Sequence, residues 1–284
     1  MKTLMNKFAL IYLLLSIAAA PSLRAQEATT ESPAADTLAA LPAEHFASQV
    51  QGDTLAVSKA QADSAYIRGD YASAIQSYEL LLATGEAAML YYNLGNCYYK
   101  TDDIARAILN YERALLLSPG NADIRANLEI ARSKTVDKIE IIPDVFFVSW
   151  FKSLMNLLGS DAWARLGLTF FFLLLACAFL FFFSKRVSLK KTGFALGLCC
   201  LVLSILSNVF AKVQKDKLVD RREAIVLTPS VTVRSTPAES GTSLFILHEG
   251  CKVGIKDDSM KAWKEISLDD GKVGWIPASS IETI

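Results

Sequence analysis

The chain carries two histidines and five cysteines, side chains that often serve as bases, nucleophiles or metal ligands, and their placement argues against all three roles. His45 lies in an acidic, proline-containing stretch and His248 near the end of an alternating apolar run. Neither pairs with a cysteine or a glycine-flanked serine, and no His-x-x-x-His pair or phosphate-cradling glycine loop occurs. Cys177, Cys199 and Cys200 fall inside long uncharged runs, where a thiol behaves as a small apolar group. Cys97 and Cys251 remain, in separate regions, with the spacing of neither a disulfide framework nor a metal site. Cys97 beside Tyr98 reads as a buried packing thiol; the other reading, a redox thiol, needs two distant segments to bring it to Cys251. The sequence therefore predicts no enzyme, no metal and no cofactor. What it offers instead is hydrogen bonding and charge. Asn93 and Asn127 carry amides that both donate and accept, and Lys100 and Lys134 carry amines that suit carboxylates.

Each of those pairs is separated by 34 residues, and the spacing belongs to an internal repeat. The run from Asp70 to Glu79 aligns with the run from Asp103 to Glu112 at an offset of 33. Periods of this size indicate stacked helix–turn–helix units, here over residues 59–135. The second copy carries Tyr91, Leu94, Gly95, Tyr98, Ala107, Tyr111, Ala114 and Pro119, a pattern that closely resembles the tetratricopeptide repeat. Gly95 and Ala107 are small enough for two antiparallel helices to approach. Tyr98 and Tyr111 fill the space between units, and Pro119 ends the second helix. The first copy is degenerate, with Ala62 in place of the glycine and Leu81 in place of the small alanine, and residues 122–134 read as a lone closing helix. About two and a half units fall short of the usual three, so the array is expected to lean on the preceding tether or on a partner.

The resemblance implies a concave groove, lined by the first helix of each unit, that holds an extended peptide. The matching positions are Met89, Tyr92, Asn93, Asn96, Tyr99, Lys100, Asn127 and Lys134. The two amides would bond a peptide backbone and the two lysines an acidic side chain or terminus. Relatives that clamp a terminal carboxylate place basic residues where Met89 and Asp123 stand, which argues against a carboxylate clamp. The plainer alternative is that these polar groups only solvate the groove.

Two uncharged stretches, 165–184 (apart from its first residue) and 192–211, flank a loop, 185–191, that holds Lys185, Arg186, Lys190 and Lys191. Each is close to the roughly 20 apolar residues that cross a bilayer as a helix. The cations mark the loop as cytoplasmic. A run from Phe8 to Ala20 preceded by Lys2 and Lys7 reads as an export signal, residues 1–25, with an uncleaved anchor as the alternative. Both signals place the rest of the chain across the membrane from the loop, in the periplasm of an inner-membrane, multi-pass protein. Lys212, Lys215, Lys217, Arg221 and Arg222 after the second stretch argue weakly the other way. Residues 26–58, acidic and rich in Ala, Ser, Thr and Pro, read as a flexible tether. Residues 143–158, with Phe146, Phe147, Trp150 and Phe151 interrupted by Ser149, Lys152 and Ser153, read as a helix at the membrane surface or as a cover for the end of the repeats. The 29 basic and 29 acidic residues cancel, and the mean hydropathy is +0.30, so no global field points to nucleic acid.

Residues 224–284 change to short alternating runs at Val231–Arg234, Leu244–Leu247, Lys252–Ile255 and Trp263–Ile266, with an Asp270-Gly271 turn. Val231-Thr-Val-Arg-Ser-Thr-Pro237, Gly250, Trp263 and Asp270-Gly-Lys-Val-Gly-Trp-Ile-Pro277 resemble the bacterial SH3 (SH3b) family, which implies a small barrel with Trp275 packed inside. The expected class is thus multidomain: an all-α tetratricopeptide array, a two-helix membrane hairpin and a C-terminal all-β SH3-like barrel. Taken together, these parts resemble the BatE-like proteins of the Bacteroides aerotolerance (Bat) system. That resemblance implies a non-enzymatic membrane scaffold beside Bat-type proteins with von Willebrand A domains, linked to aerotolerance or envelope stress. The alternative is an SH3b module that binds or senses peptidoglycan.

Overall fold

Helix starts are written into the sequence by capping residues. Ser58 and Gln61 form a reciprocal capping box at the head of α1 (Lys59–Ile67). Asp70 accepts the Ser73 N–H at 3.2 Å to start α2 (Tyr71–Thr84), and Asp103 accepts the Arg106 N–H at 3.0 Å to start α4 (Ile104–Leu117). Asn121 accepts from Asp123 and Ile124 to start α5 (Ala122–Ser133), while α3 (Ala88–Lys100) begins without a side-chain cap. The computed structural model describes residues 58–138 and 145–284. The export signal, all but the last residue of the tether, and the first residues of the 143–158 segment lie outside the described residues.

The five helices form an antiparallel array closed by one apolar core. Ala62, at the position of Gly95 one repeat earlier, is fully buried, as are Ala107 and Ala114. A Cβ on Gly95 would lie 2.7 Å from the Tyr111 ring, so α3 and α4 meet at that point only because the side chain is missing. Tyr78 and Tyr111 are each 1% exposed and pack between units.

Two apolar helices of membrane-spanning length follow, α7 (Ser160–Phe183) and α8 (Val187–Asp220). They pack along small residues, Gly167, Gly193, Gly197, Cys177, Cys200 and Ser204, and the Ser204 hydroxyl donates to the Gly167 carbonyl at 3.0 Å. The short helix α6 (Phe146–Met155) is fastened to both: the Met155 carbonyl accepts from Trp163 Nε1 at 2.9 Å and from Gln214 Nε2 at 2.6 Å. Phe210 lies between the Phe151 and Trp163 rings, with centroid distances of 5.1 and 4.9 Å. The helix α8 continues beyond the apolar stretch to Asp220, which carries its last turns out toward the folded modules.

The chain ends in seven antiparallel strands: β1 (Glu223–Val226), β2 (Ser230–Arg234), β3 (Ser243–His248), β4 (Lys252–Asp257), β5 (Trp263–Ser267), β6 (Val273–Pro277) and β7 (Ile281–Thr283). Their order is β3-β2-β6-β5-β4-β1-β7, and the sheet is open, with β3 and β7 as its edges. This corrects the expected SH3-like barrel. The β5–β6 hairpin turns at Asp270-Gly271 as expected, with Gly271 at φ 87°, but the inward position on β6 belongs to Ile276, fully buried, and Trp275 is only half-buried. The physical reason for the open sheet lies in β1 and in the residue after β7. Ile225 and Ile284 are buried in the core of the helical array, so apolar surface that a closed barrel would keep to itself is shared with the repeats.

The array, expected to lean on the tether or on a partner, also packs against the chain's own C-terminal sheet. The sheet is also tied to the repeats by charge. Glu112, with its side chain 6% exposed, pairs with Arg132 and, at 3.1 Å, with Lys252, which in turn meets Glu223 at 2.8 Å. Burial alone would depress Lys252; the two carboxylates outweigh it and raise the ammonium above its ordinary range. Arg113 pairs with Glu282 at 2.9 Å, and His248 sets its backbone N–H and Nδ1 on the Asp137 carboxylate at 2.6 and 2.8 Å. Gly250, at φ 80°, sits where a Cβ would strike Thr135 at 2.7 Å. With the barrel go the conclusions that needed it. The resemblance to BatE-like proteins required repeats, hairpin and barrel together, and the open sheet removes one of the three. The SH3b-bearing periplasmic scaffold, the aerotolerance role and the peptidoglycan alternative are withdrawn with it.

Candidate peptide-binding groove

The polar residues on the first helix of each unit fall into two equivalent sets. In the first, Tyr78 donates its hydroxyl to Asp63 Oδ1 at 2.5 Å, and Asn93 Nδ2 reaches the same oxygen and the Tyr78 hydroxyl, both at 3.3 Å. In the second, Tyr111 donates to Asn96 Oδ1 at 2.7 Å, and Asn127 Nδ2 reaches that oxygen at 3.1 Å and the Tyr92 hydroxyl at 2.9 Å. Each set joins the first helix of one unit, the second helix of that unit and the first helix of the next. The 33- and 34-residue offsets bring the same chemistry to the same place twice. Burial, followed by the bond to Asp63, pushes Tyr78 above its ordinary range. Burial alone would raise Asp63, but hydrogen bonds from Lys59 and Tyr78 outweigh it and hold the carboxyl below the usual range.

Asn93 and Asn127 thus use their donors to couple neighbouring units. Their Oδ1 atoms have no partner among the described residues and remain available as acceptors on the groove side. Asp63, Tyr66, Ile67, Tyr78, Asn93 and Asn96 line a cavity of about 260 Å³ at one end of this face, with Ile67 82% exposed at its rim. Tyr92 and Tyr99 continue the wall. Lys134 sits 4.3 Å from the Tyr99 ring centroid and 3.5 Å from Asp102, while Lys100 is exposed and has no ion-pair partner among the described residues. Met89 is half exposed at the opposite end of α3. The sequence reading missed Asp63, Tyr66 and Ile67 because they belong to the degenerate first copy. The signal that finds them is the 33-residue offset, which sets Asp63 opposite Asn96.

The thiols are chemically quiet. Burial pushes both Cys97 and Cys251 up to about 12, so neither is a thiolate near neutral pH. Among the described residues, no group of three or more His, Cys, Asp or Glu could hold a metal ion, and all five cysteines are free. The face presents acceptors, aromatic rings and ammonium groups. Residues 88–121, covering α3, α4 and the turn after them, match the tetratricopeptide repeat family. No curated protein matches the chain.

Proposed function

We propose that this protein is a membrane-anchored, non-enzymatic binding module whose repeat face takes an extended, acid-bearing peptide segment of another protein. The observation that carries the reading is the pair of acceptors without a partner among the described residues, Asn93 Oδ1 and Asn127 Oδ1, one repeat apart beside Lys100, which has no ion-pair partner among them either. Acceptors one repeat apart suit the N–H groups of an extended chain, and Lys100 and Lys134 suit a carboxylate on it. The order of elements, repeats then two apolar helices then sheet, supports an anchor that holds both folded modules on one side of a membrane, opposite the basic 185–191 loop.

The test is binding of the full chain in detergent to an array of ten-residue peptides of graded acidity. Acid-rich peptides are expected to bind best, and Lys100→Gln/Lys134→Gln is expected to weaken them about tenfold, as two partly exposed ion pairs should. Binding that ignores peptide charge, or that survives the double substitution, rejects the groove.

A further inference from the structure

The helix α8 leaves the apolar zone near Ala211, and Gln214 and Lys217 follow three and six residues later, about 4.5 and 9 Å along the axis. The head-group layer of a bilayer is about 5–8 Å deep on each side, so Gln214 stands within it and Lys217 just beyond it, where its long stem can bring the ammonium back to the lipid phosphates. There, α4, α5, α6, α8 and the sheet enclose an open cavity of about 490 Å³. Its polar lining includes Arg125, Lys217, Ser153, Asn156 and Gln214.

The charge on this wall is not balanced. Glu112 and Glu223 also face the cavity, and together with Glu129 they share Arg132 and Lys252 in a cluster of three anions and two cations. Arg125 and Lys217 are left over. Arg125 is held by its bond to the Pro119 carbonyl at 2.7 Å, and neither it nor Lys217 meets a carboxylate among the described residues. Asn156, just after α6, adds a neutral donor, while the Ser153 hydroxyl donates to the Ser149 carbonyl at 2.8 Å; the other side of α6 presents Phe146, Phe147 and Trp150 to the surroundings. Gln214 is oriented by its bond to the Met155 carbonyl. Two cations without a carboxylate partner among the described residues, with the Asn156 amide in the same lining, suit a phosphodiester.

We propose that this juxtamembrane cavity binds the phosphate of an anionic lipid head group. The inference rests on the membrane-spanning reading of α7 and α8. It also gives Lys217, one of the basic residues after α8's apolar stretch, a role on a side of the membrane where the charge rule alone would not place it. The chemistry recognised is phosphate, which a lipid or free inorganic phosphate could supply.

The experiment is native mass spectrometry of the full chain released from detergent with phosphatidylglycerol, phosphatidylcholine or inorganic phosphate. Phosphatidylglycerol is expected to be retained over phosphatidylcholine, and Arg125→Gln/Lys217→Gln is expected to lower its retention about thirtyfold, the effect of two cations at an anionic surface. Ser153→Phe, which fills the cavity without changing charge, should lower it too, whereas Lys190→Gln/Lys191→Gln at the far end of the hairpin should not. Equal retention of the two lipids, or retention unaffected by both cavity variants, overturns the proposal. Inorganic phosphate bound without lipid preference assigns the cavity to free phosphate and overturns the lipid assignment. Resistance of the chain to carbonate extraction from membranes reports the anchor independently, so a failed lipid site is distinguishable from a failed membrane reading.

Discussion

Gly95 shows how much a single atom decides in this repeat. Its α-carbon faces the Tyr111 ring, whose hydroxyl is fixed on Asn96, so the ring has no free direction in which to yield. Gly95→Ala is expected to lower stability by about 1 kcal/mol: an overpacking cost near 2 kcal/mol exceeds the roughly 1 kcal/mol that alanine gains in helix propensity. The urea midpoint of the full chain in detergent measures it, and an unchanged or higher midpoint contradicts the packing described. At this scale the sequence was informative where it repeated itself. The two tyrosines and the two asparagines were visible at offsets of 33 and 34, and the glycine through the tetratricopeptide pattern of the second copy, since the first copy has Ala62 there. Their use was not, because the donors of Asn93 and Asn127 are engaged by Asp63, Tyr78, Asn96 and Tyr92, and such pairings depend on the stacking of units.

Among the elements, the best-marked in sequence were the helices, whose caps at Asp70, Asp103 and Asn121 are local, and the two apolar spans, whose signal is composition. The strands that dock the sheet were the least legible. β1 has four residues and β7 three, too short for alternation to register, yet Ile225 in β1 and Ile284 just after β7 enter the repeat core. The alternating runs that suggested a barrel belong to the strands between those two docking strands and the far edge. Ion pairs across elements are equally invisible in sequence, and one of them has a pH signature. Arg221 at the end of α8 grips Glu86 before α3, and that hydrogen bond is the main cause of a Glu86 carboxyl held below its ordinary value of 4.5. A carboxyl lowered on folding contributes stability above its unfolded value, and the contribution is lost as pH falls through the folded one. Melting of the full chain at about pH 7 and about pH 3 is therefore expected to differ more for the wild type than for Glu86→Gln. Equal acid sensitivity in the two proteins contradicts the tie.

For the whole molecule, the repeats and the sheet share a core and a charged seam, and they rise from one pair of apolar helices. A binding face and a lipid-level cavity on a single anchored body would present a partner's segment at a fixed height above the membrane, with neither module needing high affinity alone. The claim on which this depends is that both modules stand on the same side of the bilayer. Labelling intact cells with a membrane-impermeant maleimide tests it directly, using single cysteines placed at Ala83 in the repeats, Glu239 in the sheet and Ser188 at the hairpin tip, in a Cys199→Ala background. Ala83→Cys and Glu239→Cys are expected to label alike, and Ser188→Cys only after the membrane is opened. Labelling that separates Ala83→Cys from Glu239→Cys, or that reaches Ser188→Cys together with them in sealed cells, would contradict it.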